Sequence, residues 1–109
     1  MLVVTTDGLP GYRIHAVLGE VVISLPRTRN AFAEGVKSLR GGRFDPAASQ
    51  HLLRWRTEAI EYLRAAARQR GANAVIGMRF DHREVGTTWM ELCAYGTAVV
   101  VSPLTESGE

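Results

Sequence analysis

The side chains that could bind a transition metal are few in this chain and far apart in sequence. They are three histidines, a single cysteine and two nearby carboxylates: His15, His51, His82, Cys93, Asp81 and Glu91. Zinc and related ions need several such ligands converging at about 2.0–2.3 Å, and dedicated sites commonly show closely spaced ligand pairs. The chain contains no CxxC, HxH or HExxH motif. A metal site formed by one copy of the chain alone is therefore disfavoured.

Asp81, His82 and Cys93 fall in one predicted hairpin and are the candidate metal ligands. Because the side chains of a strand alternate between the two faces of its sheet, Asp81 and Cys93 share one face and His82 points to the other. One copy of the chain can therefore pair Asp81 with Cys93, and further copies would have to add the remaining ligands for a transition-metal ion. The alternative is a structural role, with His82 at the edge of the core and Cys93 as a half-buried thiol.

The groups needed for catalysis do not come together in the sequence. Nucleophilic catalysis requires a thiol or hydroxyl with an oriented base, and Cys93 has an aspartate opposite it but no histidine on its face. Glu58 and Glu61 are surrounded by arginines, which is typical of a solvated helix face. The segment GGRFDP has two glycines but lacks the lysine of a phosphate-binding loop. We therefore predict that the protein is not an enzyme.

Arginine dominates the basic residues of the chain. Lys37 is the only lysine among 13 basic side chains, and 11 carboxylates bring the net charge to +2. Arginines can hold phosphates, but here the carboxylates are interleaved with them, and no motif that reads DNA or RNA occurs. Nucleic acid is therefore not an expected partner.

The length and the cysteine content indicate a small cytoplasmic domain. The chain has 109 residues, within the usual range of one domain. Its single cysteine excludes an internal disulfide and is typical of a reducing compartment. The amino terminus lacks the basic segment and long apolar run of a signal peptide, and no apolar stretch approaches the roughly 18 residues that cross a bilayer. We expect a cytoplasmic protein without membrane contact.

The first half of the chain predicts two strands and a short helix. Residues 2–6 and 12–25 are rich in β-branched side chains, with Gly19 marking a bulge or bend and Pro26 ending the second strand. Residues 28–40 carry apolar side chains at helical spacing and are followed by a pair of glycines. This helix is short and depends on packing.

A second, longer helix is predicted over residues 46–70. Asp45 and Pro46 form its capped start, no further proline or glycine interrupts it, and Gly71 supplies the carboxy-terminal cap. Its apolar side chains form one stripe: Leu52, Trp55, Ala59, Ile60, Leu63, Ala66 and Ala67. This stripe must pack against the sheet.

Residues 73–85 and 89–101 alternate between apolar and polar side chains and predict an antiparallel hairpin. A three-residue loop keeps both apolar sets on one face. The resulting cross-strand pairs are Val85–Trp89, Arg83–Glu91, Asp81–Cys93 and Arg79–Tyr95.

This register divides the hairpin between a helix-covered face and an open face. On the predicted strand 73–85, the side chains on the covered face are Ala74, Ile76, Met78, Phe80 and His82. The open face carries apolar and aromatic side chains among its charges: Trp89, Tyr95, Val75 and Val99. Large apolar side chains on an uncovered face are typical of a subunit interface.

The elements together predict an α+β fold in a single domain over residues 1–102. Their order is β-β-α-α-β-β, and an antiparallel sheet packs on the one long helix. Residues 103–109 form a disordered carboxy-terminal tail.

Several segments in this order resemble a known family. They are LVVTT at the start, the VLGEV turn, GG after the first helix, GANAVIGMRFD after the long helix and the terminal YGTAVVV. Over residues 2–101 the chain resembles the UPF0145 (YbjQ-like) family, labelled "putative heavy-metal-binding". It departs from that family at VVISLP, where a second glycine is usual, and at Trp55, where a small residue more often precedes the recurring helix arginine matched by Arg56. The resemblance implies a small α+β domain that assembles into a homopentameric ring.

Residues and resemblance together predict a small cytoplasmic homo-oligomer, a pentamer, that binds a heavy metal or a small ligand at its subunit interfaces. The ligand-binding candidates are Arg56, Arg79 and Tyr95. The cofactor is unidentified, with a transition-metal ion as the candidate. The alternative function is a structural scaffold that carries no cargo.

Overall fold

The structure, a computed structural model, describes residues 1–28, 46–85 and 89–104. Its elements in chain order are β1 (Leu2–Val3), β2 (Tyr12–Thr28), α1 (Pro46–Gln69), β3 (Ala74–Val85) and β4 (Trp89–Pro103). The predicted α+β class and the predicted long helix are confirmed. Outside the described residues lie most of the first predicted helix (29–40), the Asp45 cap, the hairpin loop (86–88) and the end of the predicted tail (105–109).

The strands form one mixed sheet in the order β1-β3-β4-β2. β4 is antiparallel to both of its neighbours, β3 and β2. β1 runs parallel to β3, with Leu2 opposite Ala74 and Val3 opposite Val75. The prediction of a wholly antiparallel sheet is therefore wrong at this edge. β2 and α1 form a long crossover between β1 and β3, and parallel neighbours need such a connection.

β2 and β4 are both longer than predicted. β2 continues through Pro26 to Thr28, although the sequence predicts an end at Pro26, because an edge strand tolerates a proline whose missing N–H would point away from the sheet. β4 continues to Pro103, which lies opposite Tyr12, so the first residue of the predicted tail belongs to the sheet. Gly19 has φ 102° beside a register shift, which confirms the predicted irregularity in β2.

The outer half of the β3–β4 hairpin has the predicted register. All the predicted cross-strand pairs occur: Arg79–Tyr95, Asp81–Cys93, Arg83–Glu91 and Val85–Trp89. Arg83 Nε lies 3.3 Å from Glu91 Oε1, which is the expected cross-strand ion pair. This half of the open face therefore presents the residues predicted for it.

A bulge at Gly77 reverses the faces in the first half of β3. The register shifts between Ile76 and Arg79, and Gly77 has φ 61°, in the left-handed region that favours glycine. Val75, predicted on the open face, is fully buried in the cluster beneath α1. Ala74 and Ile76, predicted beneath the helix, belong to a cluster on the other face. One extra residue moves every preceding side chain of a strand to the opposite face, which accounts for this correction.

α1 covers one face of the sheet with a stripe of small side chains. Ala59, Leu63 and Ala67 are 0% exposed. They pack on buried side chains of the sheet: Val21, Val75, Met78, Ala94 and Ala98. No helix within the described ranges is both long and apolar enough to cross a membrane.

α1 ends at the predicted glycine cap. Gly71 has φ 87°, and its N–H donates to the Arg68 carbonyl at 2.9 Å. The N–H of Ala72 donates to the Ala67 carbonyl at 3.1 Å. These two hydrogen bonds satisfy carbonyls of the last helical turn and direct the chain into β3.

The opposite face of the sheet, called the open face below, is only partly covered by the described residues. One small cluster lies there: Ala74, Val99 and Val101, with Leu9 and Ile76 packed against them. Val99 is thus on the predicted face but fully buried. On the same face Val17, opposite Val99, is 66% exposed, and farther along it Val22 is 50% and Trp89 49% exposed.

The molecule is long and thin. Its principal extents are 55 × 28 × 17 Å and its radius of gyration is 17.1 Å. A compact domain of this length would have a radius of gyration of about 13 Å. Among the described residues, a single helix on a long sheet leaves part of the sheet surface accessible.

Candidate functional site on the open face

Arg79 and Tyr95 lie side by side in the middle of the open face. They are directly opposite each other in the β3–β4 ladder, and Tyr95 is also opposite Val22 of β2. Arg79 is exposed and Tyr95 is half-buried. A cation and a phenol hydroxyl therefore stand next to each other on the face, with Val22 on the other side of Tyr95.

Residues 4–8, called the N-terminal strap below, bind β3 at its bulge. The N–H of Val4 donates to the Val75 carbonyl at 2.9 Å, and the Val4 carbonyl accepts from the N–H of Met78 at 3.0 Å. The N–H of Gly77 donates to the Thr6 carbonyl at 2.7 Å. The bulge thus turns backbone donors of β3 towards the strap.

The strap also fixes Arg79. Its Nη1 donates to the Thr5 carbonyl at 2.7 Å and to the Met78 carbonyl at 2.9 Å. Within the described part of the chain, neither Nε nor Nη2 of Arg79 donates a hydrogen bond. The guanidinium is therefore held in place by one nitrogen while its other donors remain accessible. This contact was not predicted from the sequence, although the Thr-Thr-Asp-Gly segment and the isolated Gly77 indicate a turn and a bulge there.

Arg56, the third predicted ligand-binding residue, lies on the other side of the sheet. Its guanidinium stands over the ring of Phe80 at 5.4 Å from the centroid. Such a cation–π contact contributes roughly 0.5–1 kcal/mol at an exposed site. The structure therefore brings Arg79 and Tyr95 together and separates Arg56 from them.

The candidate metal ligands are divided as the alternation predicts. Asp81 and Cys93 are opposite each other on the open face, and His82 is opposite Leu92 on the helix side. Asp81 Oδ1 also accepts a hydrogen bond from the backbone N–H of His82 at 2.9 Å. Among the described residues, no group of three or more His, Cys, Asp or Glu side chains is placed to hold a metal ion.

The Cys93 thiol sits in surroundings that disfavour its thiolate. Burial raises the pKa of Cys93, and the nearby carboxylates of Glu91 and Asp81 raise it further, while Arg83 opposes them. A metal bound by this sulfur would have to displace a tightly held proton. The arrangement of Asp81 and Cys93 supplies two ligands of the kind a transition metal accepts.

His15 has a partner that the sequence did not reveal. A register shift lies between Ile14 and Ala16, so His15 occupies a bulge, and its Nε2 lies within hydrogen-bond distance of the Ser102 hydroxyl. His15 is exposed and Ser102 is half-buried. The contact ties the ends of β2 and β4 together.

Comparison with known proteins identifies the family. A family model described as "Putative heavy-metal-binding" (YbjQ) matches residues 1–102. The chain belongs to the UPF0145 family. The resemblance inferred from the sequence motifs is thereby confirmed.

UPF0145 proteins from distant organisms align along nearly the whole chain. The protein of Acidothermus cellulolyticus is 46% identical over 107 residues, which is 95% of this chain and 98% of that protein. The Streptomyces coelicolor protein is 48% identical over 105 residues, with 94% and 98% covered. The Thermoplasma volcanium protein is 41% identical over 104 residues, with 93% and 84% covered.

A solved structure supports the fold of this UPF0145 chain. It is the crystal structure of a protein of unknown function of the DUF74 family from Pediococcus pentosaceus. The TM-score is 0.54 at 20% sequence identity, and the match covers 94% of this chain and 98% of that one. At this identity the likeness concerns the fold alone.

The motifs that identify this UPF0145 chain form its framework. Gly71 ends the helix, and Asn73 clamps Val101: Nδ2 donates to its carbonyl and Oδ1 accepts from its N–H, both at 2.8 Å. A Cβ added to Gly96 would lie 2.7 Å from Val75 Cγ1, so only glycine fits there. The family motifs therefore specify packing, and the candidate ligand residues Arg79 and Tyr95 must be judged by their own geometry.

Proposed function

We propose that this UPF0145 protein is a self-associating binding protein that holds a small ligand on its open face. The observation that carries the proposal is the composition of that face. Val22, which is 50% exposed, lies opposite Tyr95, Tyr95 lies opposite Arg79, and the half-exposed Trp89 stands farther along the same face. Large apolar side chains on an accessible face are typical of an interface, and a few convergent polar groups within it are typical of a ligand site.

Self-association explains both the shape and the exposed surface. A single copy has a radius of gyration of 17.1 Å, well above the value of about 13 Å expected for a compact domain. Contact between copies would bury Val17, Val22 and Trp89, which a lone copy leaves in water. We take the assembly to be a homopentameric ring, as the family resemblance implies, and its location to be the cytoplasm.

The ligand class follows from the donors that are left. Arg79 offers Nε–H and Nη2–H groups, and Tyr95 lies opposite it with a hydroxyl. These groups suit a small molecule with a carboxylate or another oxygen acceptor, because arginine binds such groups through paired donors. A transition-metal ion is the second candidate, at Asp81 and Cys93. It would need ligands from a neighbouring copy.

A scaffold without cargo is the alternative function. Two features favour it: Arg83 is already paired with Glu91, and Arg79 already donates to two backbone carbonyls. Polar groups with protein partners have less need of a ligand. On this reading Arg79 holds the strap, and the open face serves assembly alone.

The assembly is tested by charge substitution on the open face. Trp89→Asp and Tyr95→Asp should each reduce the native mass from a multiple of the subunit to one subunit, because a carboxylate would be buried in the interface. Leu53→Asp is the matched control, since Leu53 is 63% exposed on α1 and away from the open face. Native mass spectrometry measures all three. Retention of the wild-type mass by both open-face variants would refute the proposed interface.

The ligand is tested by the mass that accompanies the purified protein. Protein isolated without chelator should carry a reproducible extra mass that Arg79→Gln loses and Arg83→Gln keeps, because Arg79 lies opposite Tyr95 whereas Arg83 lies opposite Glu91. Loss in Cys93→Ser instead, with metal found by elemental analysis, would assign the cargo to the Asp81–Cys93 pair. An assembled protein with no extra mass in any preparation would favour the scaffold.

A further inference from the structure

The outer edge of β2 is the longest exposed strand edge in the described part of the sheet. The direction of its peptide groups follows from β4. Val99 and Val101 of β4 form hydrogen bonds with Asn73, just before β3. The peptide N–H and C=O groups of odd-numbered residues of β4 therefore point towards β3, and those of even-numbered residues point towards β2. Their partners on β2 are odd-numbered: Val21, Ile23 and Leu25. The outward-facing peptide groups of β2 are therefore those of Glu20, Val22, Ser24 and Pro26.

Both ends of this outward row are closed. At one end, Arg70 donates to the carbonyls of Glu20 and Leu18. At the other, Pro26 has no N–H, and Arg27 Nη1 donates to its carbonyl at 2.9 Å. Such blocking is how natural sheets protect their edges from other chains.

Between the two closed ends a short window stays open. The N–H and C=O groups of Val22 and Ser24 point outward, and no described residue bonds to them on that side. The window lies in the segment VVISL, residues 21–25, which contains no charge, no proline and no glycine. A regular, uncharged edge of this kind is a template for another strand.

We propose that this window pairs with the same window of a second copy, antiparallel about a two-fold axis at Ile23. Val22 of one copy then lies opposite Ser24 of the other, and the two residues exchange both of their backbone hydrogen bonds. The axis repeats the same exchange on its other side. The interface is isologous, with the same patch used by both copies.

The closed ends of the window complement each other in this register. Glu20 lies opposite Pro26 of the second copy. The N–H that would donate to the Glu20 carbonyl is the one that proline lacks, and Arg70 already donates to that carbonyl. Pairing therefore leaves no backbone donor or acceptor buried without a partner, which would otherwise weaken the interface.

The side chains match in the same way. On the helix side Ile23 meets Ile23, and Val21 meets Leu25, so apolar groups face apolar groups. Ile23 and Leu25 are only partly buried in one copy and pack at the margin of its core. This edge is separate from the open face, so a ring formed through the open face would still be able to join a second ring through β2.

Disulfide cross-linking tests the register. In a Cys93→Ser background, Ile23→Cys places two thiols in a pair with Cα atoms about 4.5 Å apart, within the range that a disulfide accepts. Leu25→Cys is the matched control on the same strand and face. It would lie opposite Val21, so two Leu25 positions are about 13 Å apart at about 3.3 Å per residue. We expect a covalent dimer of Ile23→Cys under mild oxidation and none of Leu25→Cys. Equal cross-linking of both variants, or of neither, would overturn the proposal.

A second variant tests whether the cross-link depends on backbone hydrogen bonds between the two copies or on random collision. Ser24→Pro in the Ile23→Cys, Cys93→Ser protein removes an outward N–H while leaving the β2–β4 ladder its own bonds. The cross-link should fall at least tenfold with an unchanged circular dichroism spectrum. Undiminished cross-linking of a folded Ser24→Pro protein would contradict the pairing. The outcome does not depend on the ring: oxidation would trap the Ile23 cross-link as a covalent dimer even when Trp89→Asp has reduced the native mass to one subunit.

Discussion

The two faces of the sheet differ in how completely they are covered. On the helix side, Ala59, Leu63 and Ala67 are 0% exposed and pack on fully buried side chains of the sheet. On the open side, Val17 is 66% exposed and Val22 50%. The same strands supply both faces, so strand propensity does not explain the difference. The helix side is completed by this chain, and the open side has an apolar surface suited to completion by a partner.

Small residues make the helix side so well filled. Ala59 and Ala67 of α1 meet Ala94 and Ala98 of β4, so the helix backbone can approach the sheet closely. Leu63 is the largest fully buried side chain among residues 53–69 of this helix. A close-packed layer of this kind responds to any change of volume, whereas an exposed layer does not.

The largest effect is expected from Leu63→Ala. Truncation of this fully buried side chain should lower the free energy of unfolding by about 2–5 kcal/mol, because a cavity remains in a layer that cannot collapse. Leu53→Ala is the control on the exposed side of the same helix, where Leu53 is 63% exposed, and should change it by less than about 0.5 kcal/mol. Urea denaturation measures both. Equal effects would erase the contrast between the buried and exposed sides.

Gly96→Ala should have the next largest effect. Its new Cβ would lie 2.7 Å from Val75 Cγ1 and 3.0 Å from the Ile76 carbonyl oxygen, where β3 bulges against β4. Overpacking of this kind costs typically about 1–3 kcal/mol in free energy of unfolding. Gly8→Ala provides the control, since nothing lies within 4 Å of its added Cβ. A Gly96→Ala protein as stable as the wild type would show that β3 can move away from β4.

Much of this contrast between the two faces could be predicted from the sequence, and the errors in β3 come from one residue, Gly77. The Gly71 cap, the Gly19 irregularity and the pairing of Arg79 with Tyr95 each follow from local chemistry or from strand parity. Gly77 broke the parity, because alternation continues without a gap on both sides of it and a bulge adds one residue. An isolated glycine inside a strand is itself a bulge signal.

Contacts between distant segments could not be read in this way. Arg70 donates to the Leu18 and Glu20 carbonyls, which lie 52 and 50 residues earlier in the sequence. Arg79 donates a hydrogen bond to Thr5 only because the chain returns at β3 to lie beside β1. Periodicity fixes which face a side chain takes, but the partners on that face depend on how the elements assemble.

The smallest effect concerns Cys93 and sharpens the description of the open face. Because burial and the Glu91 and Asp81 carboxylates raise its pKa, the folded protein holds the thiol proton more tightly than the unfolded chain does. This contribution to stability is complete below the pKa of the unfolded thiol and is lost as the pH rises through the raised pKa of the folded state.

The free energy of unfolding should therefore decline in the alkaline range, and the decline should be smaller in Cys93→Ser. Denaturant titrations between about pH 7 and pH 10 bracket the ordinary thiol pKa and test this. Identical declines in the two proteins would show that Cys93 is not the group responsible. Asp81→Asn should bring the thiol pKa back towards its ordinary value. The pH dependence of the alkylation rate measures this pKa.

The central position of β4 has a consequence for how the protein forms during synthesis. β4 lies between β3 and β2, yet it follows both in the chain. Its last residue, Pro103, lies opposite Tyr12 at the start of β2. A ribosome finishes β2 and α1 long before the strand that holds them together emerges, and contacts between such distant residues form slowly. The nascent chain therefore carries the uncharged segment VVISL unpaired until its last strand arrives. Translation that stops before β4 would yield an unfolded chain, and not a smaller domain.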